Sequence, residues 1–178
     1  GRPAGRYTLR SIHACPPWRG EQLVFDGADV HVAAEPGVCW PELAARAAQL
    51  PIDRLTLRFL TPTRIKHQRA YVAQPEFHML LRALLRRLSA LALFHCGEGW
   101  PGDPRALIAA AEQVRIAESQ LRWIEWERFS GRQQRRIELG GFAGEITYAG
   151  DLAPFREYLA LGALVHVGKA AVFGHGHY

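Results

Sequence analysis

Arg54-Leu-Thr-Leu-Arg-Phe-Leu-Thr-Pro-Thr-Arg64 puts Leu55, Leu57 and Phe59 on one parity and Arg54, Thr56 and Arg58 on the other. That is the period of a strand with one buried and one solvated face. Downstream of Pro75, Phe77, Leu80, Leu81, Leu84, Leu85, Leu88 and Leu91 recur at helical spacing, with Arg82, Arg86 and Arg87 mostly on the other side. Asp103-Pro104 offers an N-cap and first position for an added helical stretch through Ala111. Alternation returns from Val114 to Tyr148, with a bulge expected near Trp123 and a turn around Ser130-Gly131. Pro154 to Leu161, closed by Gly162, reads as a helix, and Leu164 to Val167 as a last strand. The order is βαββαβ, so an α+β, ferredoxin-like (RRM-like) domain with an inserted helix is expected. That topology hosts many functions, so function must come from particular residues.

Ahead of it, Tyr7 to His13 and Gln22 to Val32 look extended, separated by the turn-rich Cys15 to Gly20. Pro41 opens a short helix that ends before Pro51. Residues 1–50 therefore read as a β/α extension or the remnant of a preceding domain, and residues 51–178 as the ferredoxin-like domain.

Twenty-two Lys+Arg against 17 Asp+Glu give a net charge of +5, which favours an anionic partner. Only Lys66 and Lys169 are lysines; arginine, the rest of the basic set, makes flat bidentate contacts with phosphate. A GC-rich coding bias explains the arginine excess equally well. No apolar run approaches the roughly 20 residues that span a bilayer, and no signal peptide is visible, so no membrane partner is expected. Cys15, Cys39 and Cys96 are odd in number and lack a CxxC pair, which suggests neither a disulfide framework nor a zinc site and fits the cytoplasm.

The last thirteen residues, His166 to Tyr178, run HVGKAAVFGHGHY. Glycines let backbone N–H groups approach phosphate oxygens, and Lys169 and the imidazoles add charge and protons. Gly168-Lys169 lacks the Ser/Thr and the frame of a phosphate-binding Walker loop, so nucleotide binding is not expected. His175 and His177 offer a metal two ligands, too few for a site. No metal or cofactor is expected.

Taken together, Phe59 to Arg64, the hairpin carrying Trp126, Arg128, Ser130, Arg132 and Gln133 toward Gly140-Gly141-Phe142-Ala143-Gly144, and His166 to Tyr178 resemble the CRISPR pre-crRNA processing endoribonucleases of the RAMP superfamily. The likeness covers about Leu55 to Tyr178. It implies binding of CRISPR repeat RNA, metal-independent cutting of pre-crRNA by 2′-OH attack with a cyclic phosphate product, and other CRISPR-associated proteins as further partners. It also implies two ferredoxin-like halves, and the residues before Leu50 are too few for a first one. The chain therefore looks like a C-terminal domain with the tail of its partner domain attached, and its opening on Gly1 rather than methionine suggests an expression remnant or a fragment whose N-terminal part is removed. In many relatives the catalytic histidine or tyrosine lies in the first half. A non-catalytic RNA-binding subunit of an effector complex and a ferredoxin-like protein interaction domain remain as alternatives.

Such cleavage needs a base for the 2′-OH, a cation for the phosphorane and an acid for the leaving oxygen. In the polar stretch Thr61 to Arg69, His67 is the acid/base candidate and Lys66 the phosphate clamp; a solvated loop that only binds RNA is the plainer reading. Candidate RNA contacts are Arg64, Arg69, the hairpin-tip residues Arg128, Arg132, Arg135 and Arg136, and Gly168, Lys169, Gly174, His175 and Gly176. Trp123, Trp126, Phe129 and Tyr148 are expected to pack in the core rather than stack on bases.

Overall fold

The computed structural model describes residues 7–15, 17–31, 37–99, 103–130 and 135–178. The chain divides into two units, Gly1–Leu43 and Ala44–Tyr178. In the first, β1 (Ile12–Ala14) pairs antiparallel with β2 (Gln22–Phe25), His13 standing opposite Leu23. Helix α1 (Trp40–Ala48) follows, with Pro41 in its first turn. The Arg19 guanidinium forks onto Glu42 at 2.9 and 2.7 Å and, with the Cys39 N–H, holds that carboxyl down to about 2.

The second unit starts with β3 (Arg54–Thr63), whose Leu57 and Phe59 are buried while Arg54, Thr56 and Arg58 are exposed. A hairpin of β4 (Ile65–His67) and β5 (Ala70–Val72) leads into α2 (Phe77–Leu91), which ends in a turn of π-helix, Ala92–Cys96. Then come α3 (Pro104–Ala111), β6 (Arg115–Ser119), β7 (Arg122–Ile124), the hairpin β8 (Glu127–Ser130) with β9 (Arg135–Glu138), β10 (Gly141–Ala149) and α4 (Arg156–Val165). Asp103 caps α3 by accepting the Arg105 N–H at 2.9 Å, with Pro104 at the first position.

β10 lies between β3 on one side and β6 and β7 on the other, all antiparallel. Leu57 pairs with Ile146 and Leu55 with Tyr148, so the apolar parities of two strands coincide. Against that stripe α2 buries Phe77, Leu80, Leu81, Leu84, Leu85 and Leu88. Fully burying one such side chain contributes about 1.5–3 kcal/mol, which makes this layer the main support of the unit. The Tyr148 hydroxyl donates to the Pro75 carbonyl at 2.9 Å, and the Phe77 ring meets Tyr148 and Phe155 edge-on. The fold is α+β and ferredoxin-like, with α3 as the inserted helix.

Several local expectations change. Leu164 and Val165 form the end of α4 instead of starting a strand. The helix runs through Gly162 because that glycine serves close packing against Leu84 and Tyr178 and not a helix stop. The stop is His166, at φ 63°. The sheet position beside β3 goes to the chain end: Leu60 N–H donates to the His177 carbonyl at 2.8 Å, and His177 N–H to Thr61 Oγ1 at 3.0 Å. The basic stretch expected as a loop is the β4–β5 hairpin, with Ile65 buried and Gln68 and Arg69 both at positive φ, the turn that matches strand twist. The strand break falls at Gln120-Leu121 rather than Trp123. Tyr148 is core as expected, but Trp123 on β7 and Trp126 just beyond it are 36% and 50% exposed.

Candidate nucleic-acid interface

The terminal glycine-rich loop is fastened to the junction of β3 and β4. Lys169 N–H donates to the Arg64 carbonyl at 2.8 Å, an isolated antiparallel bridge. A side chain at residue 168 would prevent it, since a Cβ there would stand 2.5 Å from the same oxygen, and Gly168 has φ 87°. Further along, Gly176 N–H reaches the Pro62 carbonyl at 3.3 Å. The loop therefore returns twice to one strand, and Lys169, exposed, is displayed beside Arg64.

Strand alternation sorts the hairpin residues. Arg64, Lys66 and, across the ladder from Lys66, Tyr71 share one face, and the Arg64 guanidinium lies 4.1 Å above the Tyr71 ring. Arg69 stands exposed in the turn. Lys66 is exposed too, whereas His67, of opposite parity, is half-buried with its ring 5.7 Å from that of His78 and perpendicular to it. His78 Nε2 lies 3.0 Å from a Glu76 carboxylate oxygen. The structure thus groups Lys66 with Arg64 and Lys169, leaves Arg69 exposed in the turn, and groups His67 with His78 and Glu76. It does not bring Lys66 and His67 to one face.

The tail imidazoles fall into two settings. His175 is 2% exposed, its ring 5.0 Å from that of Trp126, and burial, assisted by the Arg64 charge, depresses its pKa. It packs inside the loop, and Gly176 beside it is buried as well. Gly174 is exposed at φ 80° with open space around it. His166 Nδ1 lies 3.1 Å from the His175 carbonyl, and its ring stacks on His177 at 4.9 Å and 6°. Among the described residues no group of three or more His, Cys, Asp or Glu could hold a metal ion, and no helix is long and apolar enough to cross a membrane.

Of the remaining candidates, Arg128, Arg135 and Arg136 lie on the β8–β9 hairpin, where Arg128 pairs with Ile137 and Arg136 with Phe129. Arg132 lies outside the described residues, as do Gly131 and Gln133. Sequence reasoning missed Tyr71 and Glu76, whose importance comes only from what they touch. His78 lies in the first turn of α2, and nothing in its sequence spacing links it to His67.

A ferredoxin-like domain closed by a glycine-rich loop folded back on its first strand defines a member of the RAMP class. Residues 57–178 match the family model for the CRISPR-associated endoribonuclease Cas6, more than half of the chain, and the chain belongs to that family. Among solved structures it is similar to Thermus thermophilus Cas6, at 25% identity and TM-score 0.55 over 78% of this chain and 56% of that one. A product complex of the same Cas6 gives 25% identity and TM-score 0.53, over 79% and 54%. A partial Cas6-RT-Cas1–Cas2 complex shares the fold at 20% identity and TM-score 0.56, over 90% and 29%. The chain thus spans little more than half the length of the solved Cas6 chain. No curated protein sequence matches it.

Proposed function

We propose that this chain is the C-terminal RAMP domain of a Cas6 endoribonuclease that binds CRISPR repeat RNA and takes part in cutting pre-crRNA into guide RNAs in the cytoplasm. The observation that carries the reading is the Arg64–Lys169 bridge, which sets the glycine-rich loop and the basic face of the β4–β5 hairpin side by side. Arg64, Lys66, Arg69 and Lys169 line up there as phosphate contacts, with Gly174 leaving backbone open to the RNA. His175 and Gly176 shape the loop from inside. Arg128, Arg135 and Arg136, whose backbone lies on the β8–β9 hairpin, and Arg132 are further candidate RNA contacts. Residues 1–50 belong to a preceding segment of the same protein, and other CRISPR-associated proteins are its further partners.

For the chemistry, the 2′-OH attacks the adjacent phosphorus, the 5′-oxygen leaves, and a cyclic phosphate remains, with no metal required. His67 is the proton-transfer candidate of this chain: its imidazole is half-exposed and anchored against His78. Lys66, on the opposite face, serves RNA binding. The test is cleavage of labelled repeat RNA by the full-length protein in EDTA, with a 2′-deoxy nucleotide at the scissile position as control. Cleavage that persists on the 2′-deoxy substrate overturns the mechanism. Tight binding without cutting would identify a binding subunit, and a His67→Ala variant that cuts at the wild-type rate removes His67 from the chemistry.

A further inference from the structure

A groove of about 250 Å³ opens between the C-terminal end of α2 and the glycine-rich loop, with Arg86, Arg87, Phe94, His95, Gly168 and Lys169 among its walls. None of the residues lining it is acidic. Among the described residues Arg86 and Lys169 form no ion pair, so their charges are available to a ligand. Arg87 is held differently: its Nε–H donates to the Val165 carbonyl at the end of α4, which fixes the guanidinium at the groove before any ligand arrives.

Phe94 gives the groove its second character. It is 79% exposed on the π-helical turn Ala92–Cys96, a distortion that extends α2 and buries none of its own residues. Such turns are found frequently at functional sites, and an uncovered aromatic ring beside three positive charges, one of them held in place, suits a nucleobase attached to its phosphates. A duplex hides its base faces, so the matching occupant is single-stranded.

We infer that this groove binds a single-stranded segment of RNA, with phosphate between Arg86 and Lys169 and an unstacked base against Phe94. The inference rests on the RNA-binding reading above and extends the contact surface past Lys169, which borders the Arg64 face on one side and this groove on the other.

The probe is a fluorescein-labelled single-stranded uridine dodecamer, titrated with the full chain by fluorescence anisotropy between 50 and 200 mM salt. These concentrations lie on the order of the range over which counterion release changes nucleic-acid affinity strongly. Arg86→Glu and Lys169→Glu should each weaken binding at least roughly tenfold and flatten the salt dependence by about 0.7 per lost phosphate contact. Phe94→Ala should weaken it about five- to hundredfold with the salt slope kept. Thermal unfolding of each variant confirms that these surface changes leave the fold intact. If the wild-type protein binds repeat RNA while Arg86→Glu and Phe94→Ala hold the dodecamer as wild type does, the groove assignment is overturned and the RNA-binding reading survives, whatever Lys169→Glu does through the Arg64 face. A wild-type protein that binds neither RNA overturns both.

Discussion

Val167 donates its N–H to the Gly176 carbonyl at 2.9 Å, and its own carbonyl oxygen occupies the space that a Cβ on Gly176 would fill. The two residues lie back to back where the tail crosses itself, and that crossing brings the chain end alongside β3. Gly176→Ala would force backbone against backbone at φ 78°, where no flexible side chain can move aside. Gly174 has a similar φ, 80°, but open space around it. Gly174→Ala should therefore cost only the left-handed penalty, about 1–2 kcal/mol. Gly176→Ala should cost at least about 2 kcal/mol more, in the range of a backbone overlap that packing cannot absorb. Urea unfolding of the two variants decides it, and equal losses would show that the crossing does not restrain the tail.

His175 makes stability depend on pH. Burial and the neighbouring Arg64 charge depress its folded pKa below the ordinary histidine value of 6.5, so the unfolded chain takes up a proton at a pH where the folded chain does not. The stabilisation is complete above about 6.5 and is lost as pH falls from there through the depressed folded value. The limiting slope for one such proton is about 1.4 kcal/mol per pH unit. Melting temperatures of wild type and His175→Gln, taken from pH 7.5 down to 5.5, should converge as the pH drops. Parallel curves would mean that the ring takes up its proton alike in the folded and the unfolded chain.

Much of the fold was legible because its strongest signals are periodic. The Leu55–Leu57–Phe59 alternation and the leucine stripe of α2 each fix which face is buried, whatever the neighbours are. Where a residue's role depends on a distant partner, the sequence carried no such mark. Gly162 looks like a helix stop, yet it is a point of close approach to Leu84 and Tyr178. The apolar residues Leu164, Val165 and Val167 suit a strand, but α4 keeps two of them once it passes Gly162. Trp123 and Trp126 were expected in the core as residues of strand faces that helices cover, but among the described residues β7 pairs with β10 alone, Trp126 lies beyond its end, and both rings are exposed. At the candidate site, Arg64 and Lys169 were each visible as basic residues. Their pairing across more than a hundred residues was not, nor was the groove that unites Arg86, Phe94 and Lys169.

The contact between Gly162 and Tyr178 can be tested by coupling. Tyr178 donates its hydroxyl to the Leu159 carbonyl at 3.0 Å, and that hydroxyl sits where a methyl on residue 162 would go, with Leu84 pressing from the other side. Gly162→Ala should cost about 1–3 kcal/mol in the wild-type background, the usual price of overpacking. In a Tyr178→Phe background the overlapping oxygen is gone, so the same substitution should cost less, with a coupling of about 0.5 kcal/mol or more. A double-mutant cycle by chemical denaturation measures it. Strict additivity would show that Leu84, and not Tyr178, sets the requirement for glycine.

Tyr71 supplies the last test, because it can act on RNA in two ways that separate cleanly. Its ring lies 4.1 Å beneath the Arg64 guanidinium and holds the arginine on the basic face next to Lys169. An exposed cation–π contact contributes about 0.5–1 kcal/mol, so Tyr71→Leu should lower repeat RNA affinity roughly two- to fivefold through the loss of that orientation. Tyr71→Phe keeps the ring and should restore affinity to within about twofold, since the cation–π attraction needs the π face and not the hydroxyl. Arg64→Ala should then make the Tyr71→Leu change nearly silent, because the group it positions is gone. If Tyr71→Phe binds as poorly as Tyr71→Leu, the hydroxyl itself meets the RNA, and Tyr71 is a direct contact rather than a positioning residue.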